Sequence, residues 1–209
     1  MKLINPVLGA ILLKYPKGSI YQGFGENVIL YQQAIGTSGH NGLDIVAIEG
    51  TPILATKGTV CEVKNTPEGY GKHIRILTDP DEKGDYLELT FGHLRDIIVK
   101  IGDKVEDKQI IGSMGNTGFV ISGSTIYWGN APAGRGVHLH FGVRECSTKN
   151  TGWVTTYSNG KTAYIKNYTN GFKGAIDPLP LLVETIQKEE ISLLEKVVDL
   201  LLKLLGKGR

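Results

Sequence analysis

The segment Val137-His138-Leu139-His140-Phe141-Gly142-Val143 is a short, largely apolar run, and it predicts a β-strand. Side chains two residues apart in a strand point to the same face, so His138 and His140 project side by side into one cleft. One imidazole there can bind a metal while the other acts as an acid or base. A His-x-His pair is weak support on its own, so the other groups of a site must come from elsewhere in the chain.

Short runs of the same kind fill most of the sequence before this strand. They predict strands at 28–31, 43–46, 53–55, 59–63, 73–77 and 87–91. No helical pattern separates them, so the sheet should be largely antiparallel. The 28 glycines among 209 residues favour tight turns, and a 41% hydrophobic content is enough for one main core. We therefore expect a mostly β domain over 1–180, with a peripheral hairpin in 150–170 around an Asn159-Gly160 turn.

The pattern changes after this predicted β domain. From 181 to 205, apolar residues such as Leu194, Val197 and Leu201 recur at helical spacing, which predicts a C-terminal amphipathic helix within 181–209. Its wide apolar face fits packing on its own domain or self-association as a coiled coil, and docking to a partner is the alternative. A membrane surface is less favoured, because the polar face mixes acidic and basic residues.

Two further motifs match the chemistry of the His-x-His strand. They are His40-Asn41-Gly42-Leu43-Asp44 and Phe91-Gly92-His93-Leu94, so four of the five histidines fall in three short segments. His40 precedes a predicted strand and Asp44 lies within it, so the two side chains can meet at one ion. Imidazole nitrogen and carboxylate oxygen are standard zinc ligands, and a catalytic zinc needs three protein ligands and an open position for water. The fifth histidine, His73, is expected to be exposed on a strand, without a role in the site.

The order of these motifs resembles the lysostaphin-type (LytM, M23 family) zinc metallopeptidases. The resemblance covers most of residues 5–180 and implies an antiparallel β-sheet fold of the duplicated-hybrid-motif type. Besides the histidine motifs, the segments that carry it are Phe24-Gly25, Gly50-Thr51-Pro52-Ile53, Gly58-Thr59-Val60, Gly69-Tyr70-Gly71, Gly102-Asp103-Lys104-Val105, Ile111-Gly112-Ser113-Met114-Gly115-Asn116-Thr117-Gly118 and Asp177-Pro178.

The resemblance also implies a chemistry. His40, Asp44 and His140 would hold one zinc ion per chain, while His93 and His138 would be the catalytic pair, with their separate roles left open. The implied substrate is the peptide of peptidoglycan, cut in stems or cross-links by an endopeptidase. The competing hypothesis is a non-enzymatic scaffold or amidase activator that acts through the C-terminal helix, although such members usually lose metal ligands.

The chain departs from the family pattern at 119–136. A long loop there separates the Gly-x-Thr-Gly segment from the His-x-His strand, and it should border the cleft. The loop is either an inert surface insertion or a wall in which Tyr127 and Trp128 contact the substrate. Long loops in compact domains are often functional, which keeps the second hypothesis open.

Composition and the chain's first residues bear on its setting. A formal net charge of +2 gives no broad attraction to nucleic acid. The N-terminal segment has an early proline, Pro6, and no clear cleavage site, so we expect folded protein rather than a signal peptide. The enzyme would then reach the bacterial cell wall through phage lysis or in a virion, with a secreted bacterial protein as the alternative. Cys61 and Cys146 are compatible with one disulfide or with two buried thiols.

Overall fold

The computed structural model describes residues 2–183, and these are mostly β-sheet, as the sequence predicts. The helical segments are α1 (Val28–Ile35) and a 3-10 helix (Leu179–Leu181). The strands are β1 (Leu3–Ile4), β2 (Ile20–Gln22), β3 (Leu43–Ile45), β4 (Pro52–Leu54), β5 (Gly58–Asn65), β6 (Lys72–Leu77), β7 (Asp85–Gly92), β8 (Leu94–Ile97), β9 (Lys104–Val105), β10 (Ile110–Met114), β11 (Val120–Ser122), β12 (Thr125–Tyr127), β13 (Leu139–Ser147), β14 (Val154–Thr156), β15 (Thr162–Ile165), β16 (Ala175–Ile176) and β17 (Leu182–Val183).

One large sheet positions the histidine motifs. Its strands follow the order β14-β15-β13-β7-β6-β5-β9, and the paired strands along this path are antiparallel. The first residues of β13 pair with β3 on one side and β7 on the other, while its later residues pair with β15 and β16. The sheet therefore brings the Asp44 strand, the His140 strand and the strand that leads to His93 side by side.

The main core lies against one face of this sheet. Phe91 on β7 and Phe141 on β13 are directly paired, their ring centroids are 5.2 Å apart, and both are buried. Leu3 and Val7 belong to the same apolar cluster, so the N-terminal segment contributes to the core. Because side chains alternate along a strand, the burial of Phe141 turns its neighbours His140 and Gly142 to the opposite face.

The prediction of a strand at 28–31 is wrong, because these residues begin helix α1. Asn27 and Gly36 flank the helix at its two ends, and both have left-handed backbone conformations, with φ of 54° and 69°. Its β-branched residues are exposed; Ile29, for example, is 72% accessible. Strand propensity largely reflects how well a side chain fits a half-buried position on a sheet, and in the part of the chain that the structure describes, residues 28–31 have no sheet neighbour to pack against.

The C-terminal part of the described chain ends in a strand. β17 pairs in parallel with β1, so residues 182–183, which the sequence predicts to be helical, form a strand. Most of the predicted helix falls in 184–209, which lie outside the described residues. The predicted Asn159-Gly160 turn joins β14 to β15, and this hairpin extends the edge of the main sheet through β13. The described residues contain no helix with the length and apolarity that crossing a membrane requires.

The two cysteines are free, buried thiols, which settles the alternative that the sequence left open. They lie in a second, smaller apolar cluster with Tyr86, Tyr157 and neighbouring residues. Burial raises the pKa of both Cys61 and Cys146 to about 12, so neither is a thiolate at neutral pH.

Candidate active site

Three side chains, two from adjacent strands and one from the loop before β3, converge on one point. His40 lies just before β3, Asp44 is in the middle of β3, and His140 is its register partner on β13. The Nε2 of His40 is 2.9 Å from the Nδ1 of His140, and each of these nitrogens is 3.1 Å from the Oδ1 of Asp44. All three residues are buried. We call this group the donor triangle.

The donor triangle fits a zinc ion. Zinc bonds of 2.0–2.1 Å in a tetrahedral arrangement place neighbouring ligand atoms about 3.3 Å apart, close to the observed separations. The Nδ1 of His40 lies 3.2 Å from the carbonyl of Gly23, which favours a proton on Nδ1 and a lone pair on Nε2. Burial lowers the pKa of His140 to about 4, so this ring is neutral at physiological pH, as a metal ligand must be.

The carboxylate in the triangle is charged. Burial of Asp44 disfavours the charge, but the nearby His40 and His138 outweigh that effect and hold the pKa of Asp44 well below its usual range. Two imidazoles and one carboxylate are a donor set that suits zinc. Within residues 2–183, this is the one group of three such side chains close enough to hold a metal.

His93 and His138 face each other beside the triangle, with ring centroids 4.5 Å apart. Each ring is held through Nδ1, which lies 2.7 Å from the carbonyl of Thr117 for His93 and 2.8 Å from the carbonyl of Gly136 for His138. A proton on Nδ1 in each ring leaves the Nε2 lone pair to face the site. Burial, with the nearby His138 and His140, holds the pKa of His93 well below its usual range, so this ring is neutral and able to accept a proton.

The backbone of His93 is strained. It adopts a left-handed conformation with φ of 62° in the turn between β7 and β8, which is uncommon for a residue other than glycine. The amide of His93 donates to the carbonyl of Tyr70 at 2.8 Å. Such strain persists only where the surrounding structure imposes it, and it concentrates at functional sites.

Tyr70 was not predicted as a site residue, yet its ring stacks on His140. The ring centroids are 4.8 Å apart with an interplanar angle of 29°, and the Tyr70 hydroxyl accepts a 3.0 Å bond from Asn41 Nδ2. The side chain therefore fixes the orientation of a ring of the donor triangle. The signal was its position in Gly69-Tyr70-Gly71, one of the segments that carry the family resemblance.

The prediction that His73 is exposed is wrong. Its side chain is 7% accessible, with Nδ1 2.9 Å from the carbonyl of Gly71 and Nε2 3.2 Å from the carboxylate of Glu62. The burial arises because β6 lies inside the main sheet, between β5 and β7. His73 is nevertheless outside the donor triangle.

The 119–136 loop is ordered by the same segment that holds His93. It contains the β11–β12 hairpin, and the Asn116 side chain donates to the carbonyls of Ala131, Pro132 and Arg135. Its C-terminal end supplies the Gly136 carbonyl that contacts His138. Trp128 contacts Phe119 at 4.5 Å between centroids and is 64% exposed.

Comparison with known proteins agrees with this geometry. The model of Peptidase family M23 matches residues 38–153, which contain the donor triangle and the His93 and His138 pair. The chain is similar to endolysin 2638A of Staphylococcus phage 2638A, at 32% identity over 136 residues, which are 65% of this chain and 25% of the endolysin. It is also similar to glycyl-glycine endopeptidase ALE-1 of Staphylococcus capitis, at 32% identity over 131 residues, or 62% of this chain and 29% of that protein.

A solved structure, that of LytU, is similar over a larger share of both chains. The match covers 80% of this chain and 87% of LytU, with 28% identity and a TM-score of 0.50. The matched regions of the endolysin and ALE-1 are, by contrast, under a third of those proteins' lengths. Because the family model spans more than half of this chain and includes its metal-donor cluster, the chain belongs to peptidase family M23.

Proposed function

We propose that this protein is a zinc-dependent endopeptidase that hydrolyses peptide bonds in the stems or cross-links of peptidoglycan. The observation that carries the proposal is the donor triangle with two further imidazoles beside it. The relatives support the substrate class, since one is named an endolysin and another a glycyl-glycine endopeptidase. One zinc ion per chain would be held by His40, Asp44 and His140.

The contacts of the remaining groups support roles for them in the reaction. A zinc ion in such a site polarises a carbonyl and lowers the pKa of a bound water to about 7. His93 and His138 would provide the base that takes a proton from the attacking water and the acid that returns one to the leaving amine. The imidazole that carries a proton also stabilises the negative oxygen of the tetrahedral intermediate. The water adds to the carbonyl carbon, the C–N bond breaks, and the products are a carboxylate and a free amino terminus.

We further propose that the 119–136 loop forms one wall of the substrate cleft. The exposure of Trp128 and the anchoring of the loop beside His93 and His138 support a contact with substrate. Replacement of Tyr127 and Trp128 by alanine should raise KM more than it lowers kcat, because neither side chain touches the donor triangle. Unchanged cleavage of every muropeptide tested would leave the loop without a part in recognition.

The proposed setting is the bacterial cell wall, reached through phage lysis or in a virion. The similarity to a phage endolysin supports it, and a secreted bacterial enzyme is the alternative. Self-association or partner docking through 181–205 stays a prediction, because most of that segment lies outside the described residues.

The experiment that tests the function uses purified protein and sacculi. The zinc-loaded protein should release new amino termini, His140→Ala should lose both zinc and activity, and His93→Ala should lose activity while it keeps zinc. If no sacculus or defined muropeptide is cleaved by protein that carries one zinc, the endopeptidase proposal fails. A protein that binds no zinc would favour the scaffold hypothesis instead.

A further inference from the structure

A pocket of about 200 Å³ opens on the same face of the main sheet as the donor triangle. Asn41, Tyr70 and Gly142 line the end that adjoins His140, and the other end is charged. The charged side chains there are Arg75, Arg144, Glu88 and Lys173. We call this the basic pocket.

Strand register places the basic pocket in line with the site. His140, Gly142 and Arg144 alternate along β13, so they share one face of the sheet. Thr90 is opposite Gly142 on β7, and Arg75 is opposite Thr90 on β6. At about 3.3 Å per residue along a strand and about 4.8 Å between strands, Arg75, which is two residues along and two strands across from His140, lies about 12 Å from it. Arg144, four residues along β13, lies about 13 Å from His140. An extended peptide covers these backbone separations in about four residues, and in as few as two where a long arginine side chain spans the rest.

The floor between the site and the basic pocket lacks a side chain. A Cβ on Gly142 would lie 3.4 Å from His140 Nε2 and 3.6 Å from the Cβ of Thr90, so an added methyl group would occupy this space. The glycine thus leaves a shallow path along β13 from the donor triangle to the charged end. A substrate backbone can lie against this path without displacing the metal-binding ring.

Glu88 is already satisfied by other partners. Arg144 donates to both of its oxygens, at 2.8 and 2.5 Å, and the hydroxyl of Tyr157 donates a third bond. Burial disfavours the charge on this carboxylate, but Arg144 and Arg75 outweigh it and lower the pKa of Glu88, so the group is ionised. Its capacity to accept further hydrogen bonds is therefore largely used.

Arg75 makes no close hydrogen bond to Glu88, whose oxygens are taken up by Arg144 and Tyr157. Its Nε is buried, lies 3.9 Å from Glu88, too far for a hydrogen bond, and has no hydrogen-bond partner among the described residues. Because this nitrogen is buried, a ligand would have to meet the terminal nitrogens of the guanidinium. One terminal nitrogen lies 3.4 Å from Glu62, a carboxylate that also contacts His73 and Lys64. The Arg75 side chain keeps 20% exposure.

The charges lining the basic pocket do not cancel. The lining holds three cations, Arg75, Arg144 and Lys173, and one carboxylate, that of Glu88. Glu62, which pairs with Arg75 at 3.4 Å, adds a second negative charge beside the pocket, so one positive charge remains in excess. The Lys173 ammonium donates to the backbone carbonyl of Ile35 at 2.7 Å, and within residues 2–183 no carboxylate pairs with it. A guanidinium with unused N–H donors in a partly enclosed pocket is suited to bind a carboxylate.

We propose that the basic pocket binds a free carboxylate of the substrate peptide, two to four residues from the bond that is cut, and that Arg75 determines this specificity. The inference rests on the proposed endopeptidase function and adds a preference among peptides. A peptide in which that carboxylate is replaced by a carboxamide lacks the charge and presents N–H donors to the guanidinium. The carboxamide peptide should be a poorer substrate by roughly 10- to 100-fold in kcat/KM, as expected for loss of a charge-assisted hydrogen bond.

The test uses the zinc-loaded protein and pairs of muropeptides that differ only in one carboxylate or carboxamide, with the cleaved bond identified by mass spectrometry. The wild type should prefer the carboxylate member of a pair whose variable group lies two to four residues from that bond. Arg75→Gln should bring this preference close to unity by slowing cleavage of the carboxylate peptide. Arg75→Lys, which keeps the charge but loses the planar fork, should retain part of it.

Two further variants separate recognition from folding. Lys173→Gln changes an exposed residue of the pocket and should reduce the preference about threefold, as expected for one partly screened charge. Lys161→Gln removes the same charge from an exposed residue of the β14–β15 hairpin that does not line the pocket, and it should leave the preference intact.

The possible failures are distinct. Cleavage of neither peptide by zinc-loaded wild type would overturn the proposed function together with this inference. Equal cleavage of both members of every pair would overturn the inference alone. An equal loss on both peptides in Arg75→Gln, with Lys173→Gln showing the wild-type preference, would mean that Arg75 only supports the sheet.

Discussion

Substitution of Gly42 by alanine tests whether the donor triangle is a metal site. A Cβ on Gly42 would lie 2.8 Å from the Cε1 and Nε2 atoms of His140 and 2.6 Å from the carbonyl oxygen of Phe141. Ordinary contact begins at 3.4 Å, so the imidazole must retreat by about 0.6 Å. Metal sites tolerate ligand displacements of only about 0.2 Å, so the retreat takes the His140 nitrogen out of bonding range. We expect zinc affinity to fall by at least 10- to 100-fold.

A competition titration against a chromophoric chelator measures this loss directly, without a peptide substrate. The matched control is Gly142→Ala, whose Cβ would meet Nε2 of the same ring at 3.4 Å, an ordinary contact, and whose zinc affinity should therefore match the wild type. Overpacking of this kind also costs about 1–3 kcal/mol of stability, so circular dichroism should first establish that Gly42→Ala is folded at the assay temperature. A folded Gly42→Ala protein that binds zinc as tightly as the wild type would refute the reasoning, because His140 would then not be a ligand.

Three further predictions concern groups outside the triangle. Glu88→Gln should destabilise the fold by about 3 kcal/mol in urea unfolding, because it breaks a buried ion pair. Since the folded pKa of Glu88 lies below the unfolded value of about 4.3, the stability difference from wild type should shrink as the pH falls below that value. A stability difference that grows at low pH would contradict the ion-pair assignment. His73→Gln should lower the free energy of unfolding by about 1 kcal/mol through its bond to Glu62 yet keep a full complement of zinc, and loss of zinc would show a link to the site. Because Cys61 and Cys146 are free and buried, the native protein should resist thiol reagents and keep its Tm when a reductant is added. An intact mass lower than that of the dithiol by two hydrogens would show a disulfide instead.

Much of the sheet could be predicted from local pattern, because its central strands carry apolar residues that only a buried sheet can satisfy. The predicted runs at 59–63, 73–77 and 87–91 fall inside β5, β6 and β7. The run at 28–31 was misleading because a β-branched composition does not reveal whether a sheet edge is available. The exposure expected for His73 failed for a related reason: strand order decides burial, and strand order is not a local property.

The donor triangle was predictable only in part. Its residue types and short spacings indicated zinc chemistry, but the register that sets Asp44 opposite His140 joins positions 96 residues apart. No local rule gives that distance, and only the family resemblance anticipated it. The basic pocket had no sequence signal, because Arg75 and Arg144 come from separate strands and meet only through their pairing with β7.

The position of His93 depends on two glycines outside the donor triangle. A Cβ on Gly118 would lie 2.3 Å from the backbone nitrogen of Gly71, a Cβ on Gly71 would lie 2.4 Å from the carbonyl carbon of Thr117, and both glycines have positive φ. Side chains are therefore excluded by both space and backbone conformation. This close approach brings together the two segments whose carbonyls hold the ring and the amide of His93, those of Thr117 and Tyr70. The strained backbone of His93 is thus imposed by the close contact between the loop of Gly71 and the loop of Gly118. These two loops offer no metal ligand, yet they belong to the site because they position His93.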